Sequence, residues 1–395
     1  MELSLTTGNK NKIMAFDHIA QQLQQQTELA RYRQRFCLEQ TSGQNIMVDG
    51  KAYVNFSSND YLGLNQHSDL LTAFQQGIDE YGLCSAGSNL ITGYHKAHQI
   101  LEDNICQWLN KESCLLFTSG FAANSGVLQA LAKPDSQFFL DKLSHASLID
   151  GALASSAQTR RFLHNDLTQL ENLLTQSTSL DKLIVSEGVF SMDGDQAPIG
   201  SLIKLAKKYQ SWLYLDDAHS IGVVGEQGQG SVSFSHHDEI DIVMATFGKA
   251  VATSGAFIAC SKELKEYLVN FCRHYIYTTA MSPALAVATN ASIELIKKDI
   301  WRREKIQQLS DLFVQLLDCD IDILPSNSSI HALVIGDEHS TLNVAQKMKE
   351  QGYWLTAIRP PTVPRNSSRL RVTICANHND NDIKGLALSL NKVLN

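Results

Sequence analysis

Between about residue 66 and residue 290, short continuous apolar runs alternate with stretches of helical period. The runs Cys114–Phe117, Gln137–Leu140, Leu183–Ser186, Leu213–Leu215, Ile242–Ala245 and Gly255–Ala259 read as strands, with helices such as His98–Leu109 and Ile199–Tyr209 between them. Strands that are apolar throughout, separated by helices, predict a largely parallel sheet covered on both faces. Before this region, Ile13, Phe16, Ile19, Ala20 and Leu23 recur on one face and predict a helix over 13–36, with Arg31, Arg33 and Arg35 in its basic tail. Ile46–Phe56 reads as a hairpin turning at Asp49-Gly50. After it, a long helical segment from Pro283 to about Leu317 leads into a smaller α+β region with strand-like runs at Ala332–Ile335 and Leu370–Thr373. The expected organisation is an N-terminal helix and hairpin over 1–60, a large α/β domain over 61–290 and a C-terminal α+β domain over 291–395.

Composition narrows the class. The chain has 395 residues, 44% hydrophobic and 19% charged, with a formal net charge of −8. That balance is ordinary for a globular enzyme and disfavours nucleic acid or an anionic membrane as the main partner. Its eight cysteines are scattered without a CxxC pair, which predicts reduced thiols rather than disulfides or a metal cluster. Met1–Lys12 is polar, without the apolar core of a secretory signal, and a cytoplasmic location is expected.

Two strand ends carry the most telling chemistry. Leu213–Leu215 breaks into Asp216-Asp217-Ala218-His219, and Ile242–Ala245 breaks into Thr246-Phe247-Gly248-Lys249. Ligands of α/β sheets bind beyond the carboxyl ends of strands. An acid, an imidazole and a lysine delivered there suit pyridoxal 5′-phosphate (PLP): the acid faces the pyridinium nitrogen and the lysine forms the Schiff base. Read alone, Lys249 serves equally as a solvated charge, and Asp216 as a strand-end cap. Ser119-Gly120-Phe121 follows a strand and opens a helix, where exposed backbone N–H groups bind a phosphate. No GxxxxGK[ST] or GxGxxG pattern occurs, which disfavours a nucleotide-binding protein that uses acidic strand ends for metal. His145, in Leu143–Ser147, suits stacking on a planar ring or hydrogen bonding to substrate, although a loop histidine is more often structural. Ser191 follows a further strand end. Arg359, Arg369 and Arg371 offer guanidinium forks for a carboxylate, or plain surface charge. His236-His237 reads as solvent-facing.

Together these segments resemble the α-oxoamine synthases, PLP enzymes of the aspartate-aminotransferase fold. The likeness runs through Asn55–Leu64, Thr118–Asn124, Leu143–Ser147, Ser186–Asp195, Asp216–His219, Thr246–Lys249 and Ile358–Pro364. The resemblance implies a fold type I transferase, with a mostly parallel sheet, helices on both faces and a smaller C-terminal α+β domain. It implies Lys249 as the Schiff-base lysine, Asp216 as the pyridinium partner and His145 as the stacking ring. Ser191 and His219 would contact the phenolate oxygen, with Gly120, Phe121 and Thr246 at the phosphate. Arg33, His145, Arg359 and Thr362 fall where the family contacts substrate, and no metal is implied. Family members are homodimers with the site between subunits, which would bring Thr278 or Thr279 to the partner's phosphate. The RPPTVP segment is most similar to the branch that joins L-alanine to a pimeloyl thioester, carried on CoA or acyl carrier protein, in biotin biosynthesis. A glycine/acetyl-CoA condensing enzyme is the alternative within the family, and a non-catalytic partner subunit of the same fold, against which Lys249 counts, is one from another functional class. Asn89 and Ser220-Ile221 depart from the residues usual at those positions.

Overall fold

The six apolar runs fold as strands because each can be buried on both faces. The computed structural model describes residues 15–234, 239–318 and 321–395. In it a seven-stranded sheet runs, edge to edge, Ser113–Phe117, Ala256–Cys260, Ile242–Thr246, Trp212–Asp216, Lys182–Glu187, Gln137–Asp141 and Gln158–Phe162. Ala256–Cys260 is antiparallel to both neighbours, and the other pairs are parallel. Every residue of Ser113–Phe117, Gln137–Asp141 and Ala256–Cys260 is buried. Two apolar clusters account for this, one on each face. Leu101, Phe139, Ile184, Leu215 and Phe257 belong to one, and Leu115, Leu140, Val185, Tyr214 and Ile258 to the other. Adjacent strand residues divide between the two, as period-two side chains must.

The edge strand Gln158–Phe162 has no counterpart in the sequence reading. Its residues QTRRF show no apolar run, and only Phe162 is buried. Backbone pairing with Gln137–Asp141 makes it a strand, a signal that hydropathy does not carry.

Three expectations need correction. The N-terminal helix is His18–Glu28, and it stops well before residue 36 because Ala30 takes a left-handed φ of 53°. Arg31, Arg33 and Arg35 therefore lie on an irregular segment rather than in a helical tail. The long helical segment after Pro283 is two helices, Pro283–Lys298 and Ile300–Leu316, interrupted at Asp299. The first packs so closely on Ser68–Tyr81 that a Cβ at Gly77 would stand 2.7 Å from the Ala284 Cα. Third, the sheet strand placed at Gly255–Ala259 begins one residue later, because Gly255 has a φ of 116°. Met1–Lys12 and His236-His237 lie outside the described residues.

The hairpin forms as expected, Asn45–Val48 against Lys51–Asn55, with Asp49 and Gly50 both at positive φ. It joins the C-terminal region: Val54 and Asn55 pair in parallel with Tyr353 and Trp354. Phe56 is buried with Leu333, Leu370 and Leu386 in a third cluster. Beside it stands an antiparallel sheet ordered Asp322–Ile323, Ile330–Gly336, Ser368–Thr373 and Thr356–Ile358. This arrangement carries residues 57–62 from the C-terminal sheet to the carboxyl edge of the large one. No helix among the described residues is long and apolar enough to cross a membrane.

Candidate active site

Five strands of the large sheet end along one edge, and the loops that follow them carry the predicted side chains. Lys249 follows Ile242–Thr246, and its Nζ lies 2.9 Å from His219 Nε2 in the loop after Trp212–Asp216. Burial disfavours the ammonium and brings the Lys249 pKa down to about 8, although Asp216 and Glu187 pull the other way. An amine that loses its proton near physiological pH is a usable nucleophile and base. His219 is buried and its proton affinity is depressed, first by burial and then by Lys249 and Arg371. Its Nδ1 meets the Tyr61 hydroxyl at 2.5 Å.

Asp216 is held by a buried network. Asn124 Nδ2 donates to its Oδ2 at 2.7 Å, and the Ala218 N–H donates to Oδ1 at 3.0 Å. Tyr214 donates to Asn124 Oδ1 at 2.6 Å, which fixes the amide's orientation. Asn124 Nδ2 also reaches Ser147 Oγ at 2.8 Å, and Ser147 Oγ lies 2.8 Å from His145 Nδ1. A chain of hydrogen bonds thus couples His145 to Asp216 through Ser147 and Asn124, each in the first turns of a helix. Burial lowers the proton affinity of His145 against the pull of Asp216, so its ring is neutral at pH 7.

Gly120 and Thr246 also come together. A Cβ at Gly120 would stand 2.5 Å from Thr246 Cγ2, so the start of the helix Gly120–Leu131 lies against the strand end. Ser119 caps that helix through the Ala122 N–H at 3.2 Å, and Phe121 is half-exposed beside it. Thr246 Oγ1 is buried without a hydrogen-bond partner, an orphan hydroxyl beside free helix-start N–H groups. Ser191 is buried in the loop after Lys182–Glu187.

Of the expected substrate residues, His145 stays with Asp216 and the other three gather elsewhere. Arg33, Arg359 and Thr362 line a cleft of about 880 Å³ between residues 27–36 and the C-terminal sheet. Arg33 Nη2 reaches Thr362 Oγ1 at 3.4 Å, and Arg359 donates to the Ala30 carbonyl. Thr356 also lines the cleft and stands directly opposite Arg371 in the sheet. Thr279 pairs with Ser88 in an isolated antiparallel bridge.

Several residues of this network escaped the sequence reading. Glu187 is 2% exposed, accepts from the His145 N–H at 2.5 Å, and is pushed well above the usual carboxylate range by burial and by Asp216. Asn124, Tyr214 and Tyr61 were present in recognised segments without a role. Arg369 and Arg371 looked alike in sequence, but the structure separates them. Arg369 forms a buried ion pair with Asp193, whereas Arg371 Nη2 reaches Asn59 Oδ1 at 2.9 Å and leaves its Nε buried and unpartnered. No local signal distinguishes the two; only the partners do.

The chain matches the aminotransferase class I and II family over residues 51–390. It is 45% identical to the 8-amino-7-oxononanoate synthase of Photobacterium profundum, over 92% of this chain and 93% of that one. The chain belongs to the aminotransferase class I and II family, on its 8-amino-7-oxononanoate synthase branch. Among solved structures, Sphingomonas wittichii serine palmitoyltransferase superposes with a TM-score of 0.90 at 27% identity, over 96% of this chain and 97% of that one. The 8-amino-7-oxononanoate synthase of Francisella tularensis gives 0.76 at 28% identity, over 86% and 97%. The expected fold type I architecture is the one observed, and the enzyme is a PLP-dependent acyltransferase. The chain's own atoms fit that cofactor: a desolvated lysine, a carboxylate locked in place by Asn124, and an orphan hydroxyl at a helix start face one sheet edge.

Proposed function

We propose that the chain joins L-alanine to a pimeloyl thioester, releasing CO2 and the thiol carrier and forming 8-amino-7-oxononanoate. The observation that carries this reading is the buried Lys249 amine, 2.9 Å from His219 and within the field of Asp216. PLP, when bound, supplies an electron sink that makes the alanine Cα proton removable. Lys249 would hold the cofactor covalently, and its free amine would take and return that proton. A pKa of about 8 suits both halves of the task. Asp216 would face the pyridine nitrogen, and Asn124 keeps its carboxylate aimed. His145 offers a neutral ring for stacking, Ser191 and His219 serve the phenolate oxygen, and Gly120, Phe121 and Thr246 serve the phosphate. The unpartnered Nε of Arg371 is the free donor for the alanine carboxylate. Arg33, Arg359 and Thr362 are assigned to the acyl donor, on the strength of their shared cleft.

We further propose a homodimer. Leu83, Ile91 and Tyr277 are 76%, 79% and 72% exposed on the segments flanking the Ser88–Thr279 bridge, an apolar surface that a second copy would cover. We also propose a cytoplasmic location, in keeping with cysteines scattered along the sequence without a CxxC pair.

Steady-state assays of alanine with pimeloyl-CoA against glycine with acetyl-CoA test the reaction. The first pair should give the higher kcat/KM, and a clear preference for the second would overturn the assignment.

A further inference from the structure

The cleft that holds Arg33 and Arg359 has a second cationic end. Lys349, in the last turn of the helix Glu338–Glu350, places its Nζ 4.0 Å from the ring centroid of Trp354 and 4.3 Å from that of Phe36. It has no carboxylate or hydrogen-bond partner among the described residues, and burial lowers its pKa from the ordinary lysine value. No aspartate or glutamate lines the cleft, and Glu338 at its rim is paired with Arg31 at 2.8 Å. In a chain of net charge −8 this is a concentrated positive site with an aromatic floor.

Strand geometry separates the two ends. Trp354 closes the strand Tyr353–Trp354, which pairs with the hairpin, whereas Arg359 follows Thr356–Ile358, which pairs with Ser368–Thr373, so different sheets carry the two ends. A carboxylate held by Arg33 and Arg359 takes up that pair of guanidinium groups and leaves the Lys349 ammonium, seated over Phe36 and Trp354, for a second anion. Thr356, opposite Arg371, lies between the ends. An acyl tail would run from the reacting centre towards Arg359, and the thiol carrier would leave towards Lys349.

We propose that Lys349, with Phe36 and Trp354, binds the phosphate of the phosphopantetheine arm that bears the acyl group. This rests on the acyl-transfer reading above. The arm is common to CoA and acyl carrier protein, and the charge of the cleft suits either source.

The test compares two thioesters that differ by that phosphate alone, S-pimeloyl-4′-phosphopantetheine and S-pimeloyl-pantetheine, with alanine as co-substrate. The native enzyme should show a KM about tenfold lower for the phosphorylated donor, as a charge-assisted contact predicts. Lys349→Ala should abolish that advantage with kcat unchanged, and Lys349→Arg should restore it. Arg33→Ala should raise KM for both donors alike. Repeating the comparison of Lys349→Ala with pimeloyl-CoA and with the pimeloyl carrier protein identifies the source: the donor whose KM rises is the one that uses the site. An equal effect of Lys349→Ala on both small donors, or none on either, would overturn the proposal. Failure of the native enzyme to turn over any pimeloyl donor would instead remove the acyl-transfer reading.

Discussion

At the scale of single residues, the role proposed for Lys249 rests on desolvation: the same burial that costs its charge makes its amine available. The cofactor-free protein should therefore take up PLP at a rate that rises through pH 8 rather than through pH 10, followed by stopped-flow absorbance. Lys249→Ala should lose turnover and the visible band that accompanies a covalently held cofactor. Asp216→Asn should still bind PLP yet exchange the alanine α-hydrogen with solvent at a rate lower by orders of magnitude, measured by NMR; normal exchange would refute the role of Asp216. Asn124 acts on the same carboxylate at second hand, so Asn124→Ala should slow exchange less severely and cost about 1–3 kcal/mol of stability. Lys249, Asp216 and His219 were legible in sequence because each follows an apolar run that ends at the ligand edge of a sheet. Asn124 and Tyr214 were not, since their roles depend on a hydrogen-bonded partner about 90 positions away.

Among the elements, loops are fixed to one another by ionic hydrogen bonds. His164, just past the edge strand, bonds Asp141 at 3.1 Å through Nδ1 and Asp195 at 2.8 Å through Nε2. Asp141 also accepts from the Leu143 N–H on the way to His145, and the loop of Asp195 carries Ser191. Burial opposes the His164 charge, but the two carboxylates outweigh it and lift the pKa to about 10. A raised folded-state pKa stabilises the folded form fully below the ordinary 6.5, and the contribution is lost as pH rises to about 10. The native enzyme should therefore lose more stability between pH 7 and 10 than His164→Gln, as calorimetric melting would show; parallel pH curves would contradict the ion-pair account. The six buried strands were readable from hydropathy. The edge strand and the broken helix at Asp299 were not, because pairing and packing decide them rather than local apolar period.

For the whole molecule, the large sheet supplies the residues proposed to hold the cofactor, while the C-terminal sheet brings Arg371, Thr356 and the Arg359 cleft against its open edge. Resemblance gave the fold and the chemistry together. The division of labour between Arg369 and Arg371, and the second cationic end at Lys349, emerged only from the assembled chain. Exposed Ile91 and Tyr277 predict a species of twice 43.7 kDa by sedimentation equilibrium, and the double substitution Ile91→Asp, Tyr277→Asp should yield monomer with weakened PLP binding. The central claim concerns one covalent anchor. Borohydride reduction of the PLP-loaded enzyme, followed by peptide mass spectrometry, should place a single phosphopyridoxyl group on Lys249. A modified lysine elsewhere, or an unmodified Lys249 in fully loaded enzyme, would contradict the account.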